Sequence, residues 1–374
     1  LKMDKIKILN VAMFPFLNGG VESYLMNVCE NINKEKFQFD ILAGGIIDYK
    51  NKEKIKRFGC ESIALNCKDR DFFGAYKKFK DYIKSHRYDV VVFHGCSLMN
   101  IIISFLACIP KDKKNKIILH SHMAKKVTGF KKILRFFLRI IMKKMVDYYF
   151  ACSKAAAETF FTKKELIKTI VIKNAISLNK FSFNQNSRRE IRESLNITDE
   201  FLMGHIGRFA PQKNHVFLLD VFLEVHKKDK NAKLLLIGQG DLSDSIKNKV
   251  KLLNLENNVI FIKSTTEPWK YYQAMDVFVL PSLFEGLGIV LIESQAAGLP
   301  TICSDVVPKE TNVTENIQYI SLEQSPKVWA DKILEVKRDC DRTKAVQNVK
   351  NAGYEIVDAV RELENFYKSI ELSY

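Results

Sequence analysis

Twice along this chain, short runs of β-branched and aromatic residues alternate with stretches of helical periodicity, and that pattern leaves few folds open. Such alternation builds parallel sheets covered by helices on both faces. In the first half the strand runs are Ile6–Met13, Phe39–Ala43, Asp89–His94, Lys116–His120, Tyr148–Ala151 and Ile170–Ile172, with helices such as Val21–Ile32 and Phe73–Ser85 between them. The stretch Ser177–Arg189 is polar and lacks periodicity, so it reads as a linker. A second series follows, with strands Phe201–Gly207, Lys233–Gly238, Val259–Ile262, Asp276–Leu280 and Pro300–Ser304 and helices Val216–Lys227, Ser243–Leu253 and Ile289–Ala297. A chain of 374 residues has room for two such domains. The expected fold class is α/β: two Rossmann-like doubly wound domains facing across a cleft lined by the carboxyl ends of both sheets. The expected boundaries are 1–180 and 181–354, with a last helix in 355–374 that follows Gly353 and returns to the N-terminal domain.

Charge separates the halves. Residues 1–180 carry 35 Lys and Arg against 16 Asp and Glu, while residues 181–374 carry 24 against 27. A basic N-terminal half suits nucleic acid, an anionic membrane surface or a phosphorylated substrate. The eight cysteines show no C-x-x-C spacing, which argues against a zinc or redox motif and fits a reducing compartment. Leu1–Asn10 leads straight into a strand pattern without the apolar run of a signal peptide. The longest apolar stretch, near Leu98–Ile109, is short of a membrane span. The expectation is a cytoplasmic protein, peripheral at the inner face of the cell membrane.

Three strand-to-helix loops carry chemistry. The segment Pro281–Pro300 runs from the end of a strand through Gly286 and Gly288 into an apolar helix. A helix start beside glycines exposes N–H groups and a positive dipole end, which suits a diphosphate. Glu285 lies in the loop, where it could accept hydrogen bonds from sugar hydroxyls. Glu293 lies within the helix among Val290, Leu291, Ile292 and Ala296, and a carboxylate there needs donors. A ribose diol supplies two; an ordinary surface glutamate on an amphipathic helix is the plainer alternative. The second loop, Gly207–Asn214, would place Arg208 and Lys213 at the end of a parallel sheet, able to neutralise a departing nucleoside diphosphate. A solvated basic loop fits it equally. The third, Asn18-Gly19-Gly20, opens the first helix, and glycines there let backbone approach an anion.

Together, GRFAPQK, LLLIGQGDL, AMDVFVLPSLFEGLGIVLIESQAAGLPTICSD and the E-x7-E spacing of Glu285 and Glu293 resemble glycosyltransferase family 4, retaining enzymes of the GT-B fold. The continuation SDVVPKE and ISLEQSP resembles the branch that builds bacterial capsular polysaccharides and exopolysaccharides. The resemblance implies transfer of a hexose or N-acetylhexosamine from a nucleotide sugar, UDP-linked by family habit, to a lipid-linked or saccharide acceptor. It implies an acceptor domain first and a donor domain second, with no metal or other cofactor. Gly207, Arg208 and Lys213 would hold the donor diphosphate, Glu285 the sugar, and Glu293 the ribose. The amides of Gly286, Leu287, Gly288 and Ile289 would touch sugar and phosphate, and Gly19 and Gly20 would sit against the phosphates. The family has a glycine near the base where this chain has Lys263, which leaves the base contact open.

His120 and His122 close the strand ILHSH and share a face. The family keeps a functional histidine here, and His122, nearer the loop, is the preferred catalytic candidate over His120. A structural hydrogen-bonding histidine is the alternative. A zinc site is not indicated, because no third ligand is apparent from the sequence.

Residues 130–146 place Phe130, Ile133, Leu134, Phe137, Leu138, Ile141 and Met145 on one helical face, with Lys132, Arg135, Arg139 and Lys143 along another. That pattern suits a helix lying on an anionic membrane surface, or a core helix with a basic edge. No nucleic-acid module is recognisable, so no nucleic-acid partner is expected. Asp69-Arg70-Asp71 and Asp339-Cys340-Asp341 match D-x-D but follow no strong strand, and Gly238-Gln239-Gly240 lacks the third glycine of a dinucleotide loop. Rival readings are an inactive membrane-associated subunit that binds sugar nucleotides, and another GT-B enzyme such as an epimerase.

Overall fold

The computed structural model describes residues 4–17, 19–67, 71–95, 115–122, 145–263, 265–336 and 341–370. The chain divides into two units, one of residues 1–175 with 356–374 and one of residues 176–355.

The first unit holds a parallel sheet of β1 (Ile6–Ala12), β2 (Phe37–Ala43), β3 (Ser62–Ala64), β4 (Val90–Gly95), β5 (Lys116–Ser121), β6 (Tyr148–Ala151) and β7 (Thr169–Val171), in the order β3-β2-β1-β4-β5-β6-β7. The strand order reverses between β1 and β4, which is where doubly wound folds open a ligand crevice. The helix Ile356–Ser369 packs on this unit although it follows the second in sequence. Its Ile356, Val360, Leu363 and Tyr367 recur at helical spacing and join one core cluster with Val28, Phe37 and Phe39. Glu364 Oε1 accepts from the amide of Asn33 at 2.8 Å.

The second unit holds β8 (Leu202–Ile206), β9 (Lys233–Ile237), β10 (Val259–Ile262), β11 (Val277–Leu280), β12 (Thr301–Ser304) and β13 (Ile317–Ile320), parallel, in the order β10-β9-β8-β11-β12-β13. Here the order reverses between β8 and β11. Leu234, Leu236, Val277, Val279 and Ile302 from the sheet pack against Leu218, Phe222 and Trp329 in the core.

The expected strands and helices are present within a residue or two of their predicted ends. The edge strands β3 and β13 were not foreseen: three and four residues at a sheet rim carry too little periodicity to stand out. The expected linker Ser177–Arg189 is instead helical, with turns at Leu178–Phe181 and a helix Gln185–Ser194. Its order comes from distant partners. Arg188 and Arg192, one turn apart, reach Asp276 at 2.6 and 3.5 Å, and Asp276 also accepts from the amide of Leu202 at 2.7 Å. Local polarity reads as a loop, whereas a buried carboxylate some 80 residues away holds the helix.

The basic segment 130–146 lies outside the described residues except at Met145 and Val146, as does Leu98–Ile109. Among the described residues no helix is long and apolar enough to cross a membrane.

Candidate active site

In the second unit, the loops after β8 and β11 are laced together at the reversal of strand order. Past Ile206 the chain passes Gly207 and Arg208, makes one 3₁₀ turn at Pro211–Lys213, and enters the helix His215–Lys228 through Asn214 in the left-handed region. Gln212 is the lace: its carbonyl accepts from the Leu283 amide at 2.8 Å, and its side-chain amide donates to Phe284 O at 2.9 Å and Glu285 Oε2 at 3.3 Å. Lys213 Nζ donates to Glu285 Oε1 at 2.7 Å. Glu285 is buried, and both its oxygens have a donor. A carboxylate offers about four acceptor positions, so further donors can still be met there. Arg208 is exposed and forms no ion pair among the described residues.

Glu293 sits in the helix Ile289–Ala296 and is buried. Burial pushes its pKa up to about 7, against the opposing pull of the Tyr272 hydroxyl, which donates at 2.9 Å, and of the Lys213 charge. One ammonium therefore acts on both glutamates. Gly288 precedes the helix at φ +80°, a conformation that favours glycine, and no side chain caps the helix start. The Gly238-Gln239-Gly240 turn serves packing: a Cβ on Gly238 would meet Gly207 O at 2.0 Å, and one on Gly240 would meet Phe209 O at 2.4 Å. Lys263 is exposed at the end of the edge strand β10, two strands from β8.

In the first unit, β4 and β5 bring three imidazoles together. His94 and His120 are cross-strand partners, and His122 follows β5 on the same face. The ring centroids lie 5.3 Å apart for His94 and His120, 5.2 Å for His94 and His122, and 3.9 Å for His120 and His122. Tyr24, from the helix Gly20–Asn31, packs against all three. All are buried, and burial holds each pKa below the usual histidine range, His122 down to about 3. They are neutral rings. His94 Nδ1 lies 2.9 Å from His122 Nε2, and His94 Nε2 lies 3.1 Å from Asn10 Oδ1.

Here the third histidine that the sequence did not suggest is present: His94 joins His120 and His122, with candidate ligand atoms within 4.8 Å of one another. Tetrahedral zinc with bonds of about 2.0–2.1 Å would hold its nitrogens about 3.3 Å apart. The His94–His122 pair is closer than that, as a hydrogen bond requires. A signal for His94 existed, since the expected strands Asp89–His94 and Lys116–His120 both end in a histidine.

The Gly19-Gly20 turn begins the first helix, and the Glu22 carboxylate folds back over it. A Cβ on Gly19 would fall 2.6 Å from Glu22 Oε2, whereas one on Gly20 would meet nothing within 4 Å. The D-x-D candidates hold local turns at their described ends: Asp71 caps the helix Phe72–Ser85 through the Gly74 amide, and Asp341 accepts from the amide and hydroxyl of Thr343.

Sequence comparison matches one family model to each half of the chain. The family model for Glycosyl transferases group 1 matches residues 187–355, and the model for Glycosyltransferase Family 4 matches residues 18–180. The chain is 28% identical to the putative glycosyltransferase EpsF of Bacillus subtilis, over 84% of each chain. It is 24% identical to the UDP-Gal:alpha-D-GlcNAc-diphosphoundecaprenol alpha-1,3-galactosyltransferase of Escherichia coli, over 97% of each. Other relatives bear names from capsular polysaccharide biosynthesis. Among solved structures, Anabaena HepE in complex with UDP and glucose superposes with a TM-score of 0.80 at 16% identity, covering 98% of this chain and all of that one. That likeness shows the fold, GT-B.

Proposed function

We propose that this chain, which belongs to glycosyltransferase family 4, holds a UDP-linked sugar at the charged edge of its C-terminal unit. It is a glycosyltransferase of bacterial polysaccharide synthesis. The finer reading concerns donor, acceptor and mechanism. The observation that carries it is the single ammonium of Lys213, 2.7 Å from Glu285 and electrostatically coupled to Glu293, where the strand order reverses.

In this reading the donor diphosphate lies against Lys213, Arg208 and the uncapped start of the helix Ile289–Ala296. Glu285 accepts from the sugar hydroxyls and Glu293 from the ribose. The bond from the anomeric carbon to the diphosphate oxygen breaks as an acceptor hydroxyl attacks on the same face. The acceptor proton leaves with the diphosphate, and configuration is retained. Fixed cations and helix amides stabilise the leaving group, so no metal is required. The acceptor is a lipid-linked saccharide, by analogy with the undecaprenyl-linked acceptor named for the Escherichia coli relative. The basic segment 130–146 would draw the protein to the anionic surface that carries such a lipid.

One assay tests these points. UDP-hexoses and UDP-N-acetylhexosamines are offered with a polyprenyl-diphosphate saccharide in anionic or neutral vesicles, with and without EDTA. The expected result is turnover of one donor, unaffected by EDTA, faster on anionic vesicles, and giving an α-linked product. Binding without turnover would mark an accessory subunit, and donor interconversion without acceptor would mark an epimerase; either overturns the proposal.

A further inference from the structure

We infer that Asn10 and His94 fix the tautomer of His122, so that its Nδ1 stands as a bare hydrogen-bond acceptor. The inference rests on the reading above for the use of His122, but its geometry stands by itself.

The chain of hydrogen bonds has only one consistent direction. It begins at the backbone carbonyl of Asp40, which can only accept. Asn10 Nδ2 lies 3.2 Å from it and must donate. The opposite flip would set two carbonyl oxygens against each other. That orientation turns Asn10 Oδ1 toward His94 Nε2 at 3.1 Å. An amide oxygen only accepts, so Nε2 of His94 carries the proton. His94 is buried and neutral, which leaves its Nδ1 unprotonated. That Nδ1 faces His122 Nε2 at 2.9 Å and must receive a proton from it. His122 is neutral as well, so its own Nδ1 has a lone pair and no hydrogen. Nδ1 is buried and has no hydrogen-bond partner among the described residues.

The chain ends in an amide rather than a carboxylate. The Asp40 carboxylate is turned elsewhere, accepting from the Tyr88 hydroxyl at 2.9 Å and the Gln38 amide at 2.7 Å. Asn10 therefore orients the imidazoles without lending negative charge. His122 remains a weak base that accepts a hydrogen bond and does not keep a proton. Its ligand must bring a donor, as a sugar hydroxyl does. A phosphate oxygen, itself an acceptor, is disfavoured there. Asn10 and His94 are positioning residues: neither needs to touch substrate.

The test combines ¹⁵N-histidine NMR of the full chain with kinetics using the donor found in the assay above. Both His94 and His122 are expected as the Nε2–H tautomer. In Asn10→Leu, His94 is free to move its proton to Nδ1, which would flip His122 in turn. The NMR should then show mixed tautomers, and kcat should fall about tenfold to a hundredfold with donor KM little changed. A His122 carrying its proton on Nδ1 in the wild type overturns the inference, as does a tautomer unchanged in Asn10→Leu. Joint shifts of all three rings on adding zinc alone would also overturn it, in favour of a metal site. If the tautomers are as expected but His122→Phe retains full turnover, the role of His122 in the proposed reaction fails while the hydrogen-bond chain stands.

Discussion

The two sheet edges both bury histidines, but only one of them also buries carboxyl groups. At the β8/β11 edge the buried carboxyl groups are each matched, Lys213 and Gln212 on Glu285 and Tyr272 on Glu293, while behind them His205 Nε2 and both ring nitrogens of His215 have no partner among the described residues. At the β1/β4 edge the groups are neutral imidazoles, and several ring nitrogens, including both of His120, have no partner among the described residues. An unpaired charge could not be kept in such a place, whereas an unpaired imidazole nitrogen costs only about 1–3 kcal/mol. The charged edge is suited to ligands that bring charge, and the neutral edge to ligands that bring hydroxyls.

Three substitutions sharpen or break this contrast. The largest effect is expected from Lys213→Ala, which removes the cation shared by Glu285 and Glu293. Turnover should fall about a hundredfold to a thousandfold, the usual loss when one fixed group that stabilises a leaving charge is deleted. Activity within threefold of wild type would mean that the ion pair only supports the loop.

Glu293→Gln comes next, and it should act with opposite signs on stability and binding. The folded-state pKa of about 7 lies above the unfolded value. The folded chain thus holds this proton longer, and its stability falls as pH rises from about 4.5 to about 7, by on the order of 3 kcal/mol at most. The glutamine variant lacks that loss, so its melting temperature should exceed that of the wild type above pH 7 and match it near pH 4.5. Donor KM should improve with rising pH through about 7 in the wild type alone, because only the ionised carboxylate accepts from two ribose hydroxyls. Parallel pH profiles for the two proteins would remove Glu293 from the donor site.

The smallest change is Gly20→Ala. A methyl there meets nothing within 4 Å among the described residues. The melting temperature should hold or rise slightly, by less than about 1 kcal/mol in stability, while turnover drops about tenfold if phosphate approaches that backbone.

The same contrast explains what the sequence disclosed. The charged edge is written in two short motifs, because the residues that pair there leave adjacent strands within a few positions of each other's loops. Glu285, Glu293, Arg208 and Lys213 could be named from local pattern. Tyr272, which completes Glu293, lies on another helix and gave no sign. The neutral edge is assembled from residues 10, 24, 94, 120 and 122, and only the last two are neighbours in sequence. Strand periodicity placed β1, β4 and β5, yet it could not tell that Asn10 and His94 face each other. That depends on strand order, which periodicity does not encode. The helix Gln185–Ser194 was missed for the same reason, being ordered by Asp276 from far along the chain.

The helix Ile356–Ser369 carries a consequence for synthesis. The seven described strands of the first unit have all been synthesised once residue 171 is made, yet part of its core arrives only after another 180 or so residues, the whole second unit. At about 5–20 residues per second that interval lasts about 10–40 s. During it Phe37, later covered by Tyr367, and the ring of Phe150, later met edge-on by Phe366, stand without their final cover. The nascent chain thus leaves apolar surface waiting for the helix Ile356–Ser369, and a chaperone that shields such surfaces has its longest opportunity while the second unit is still being translated.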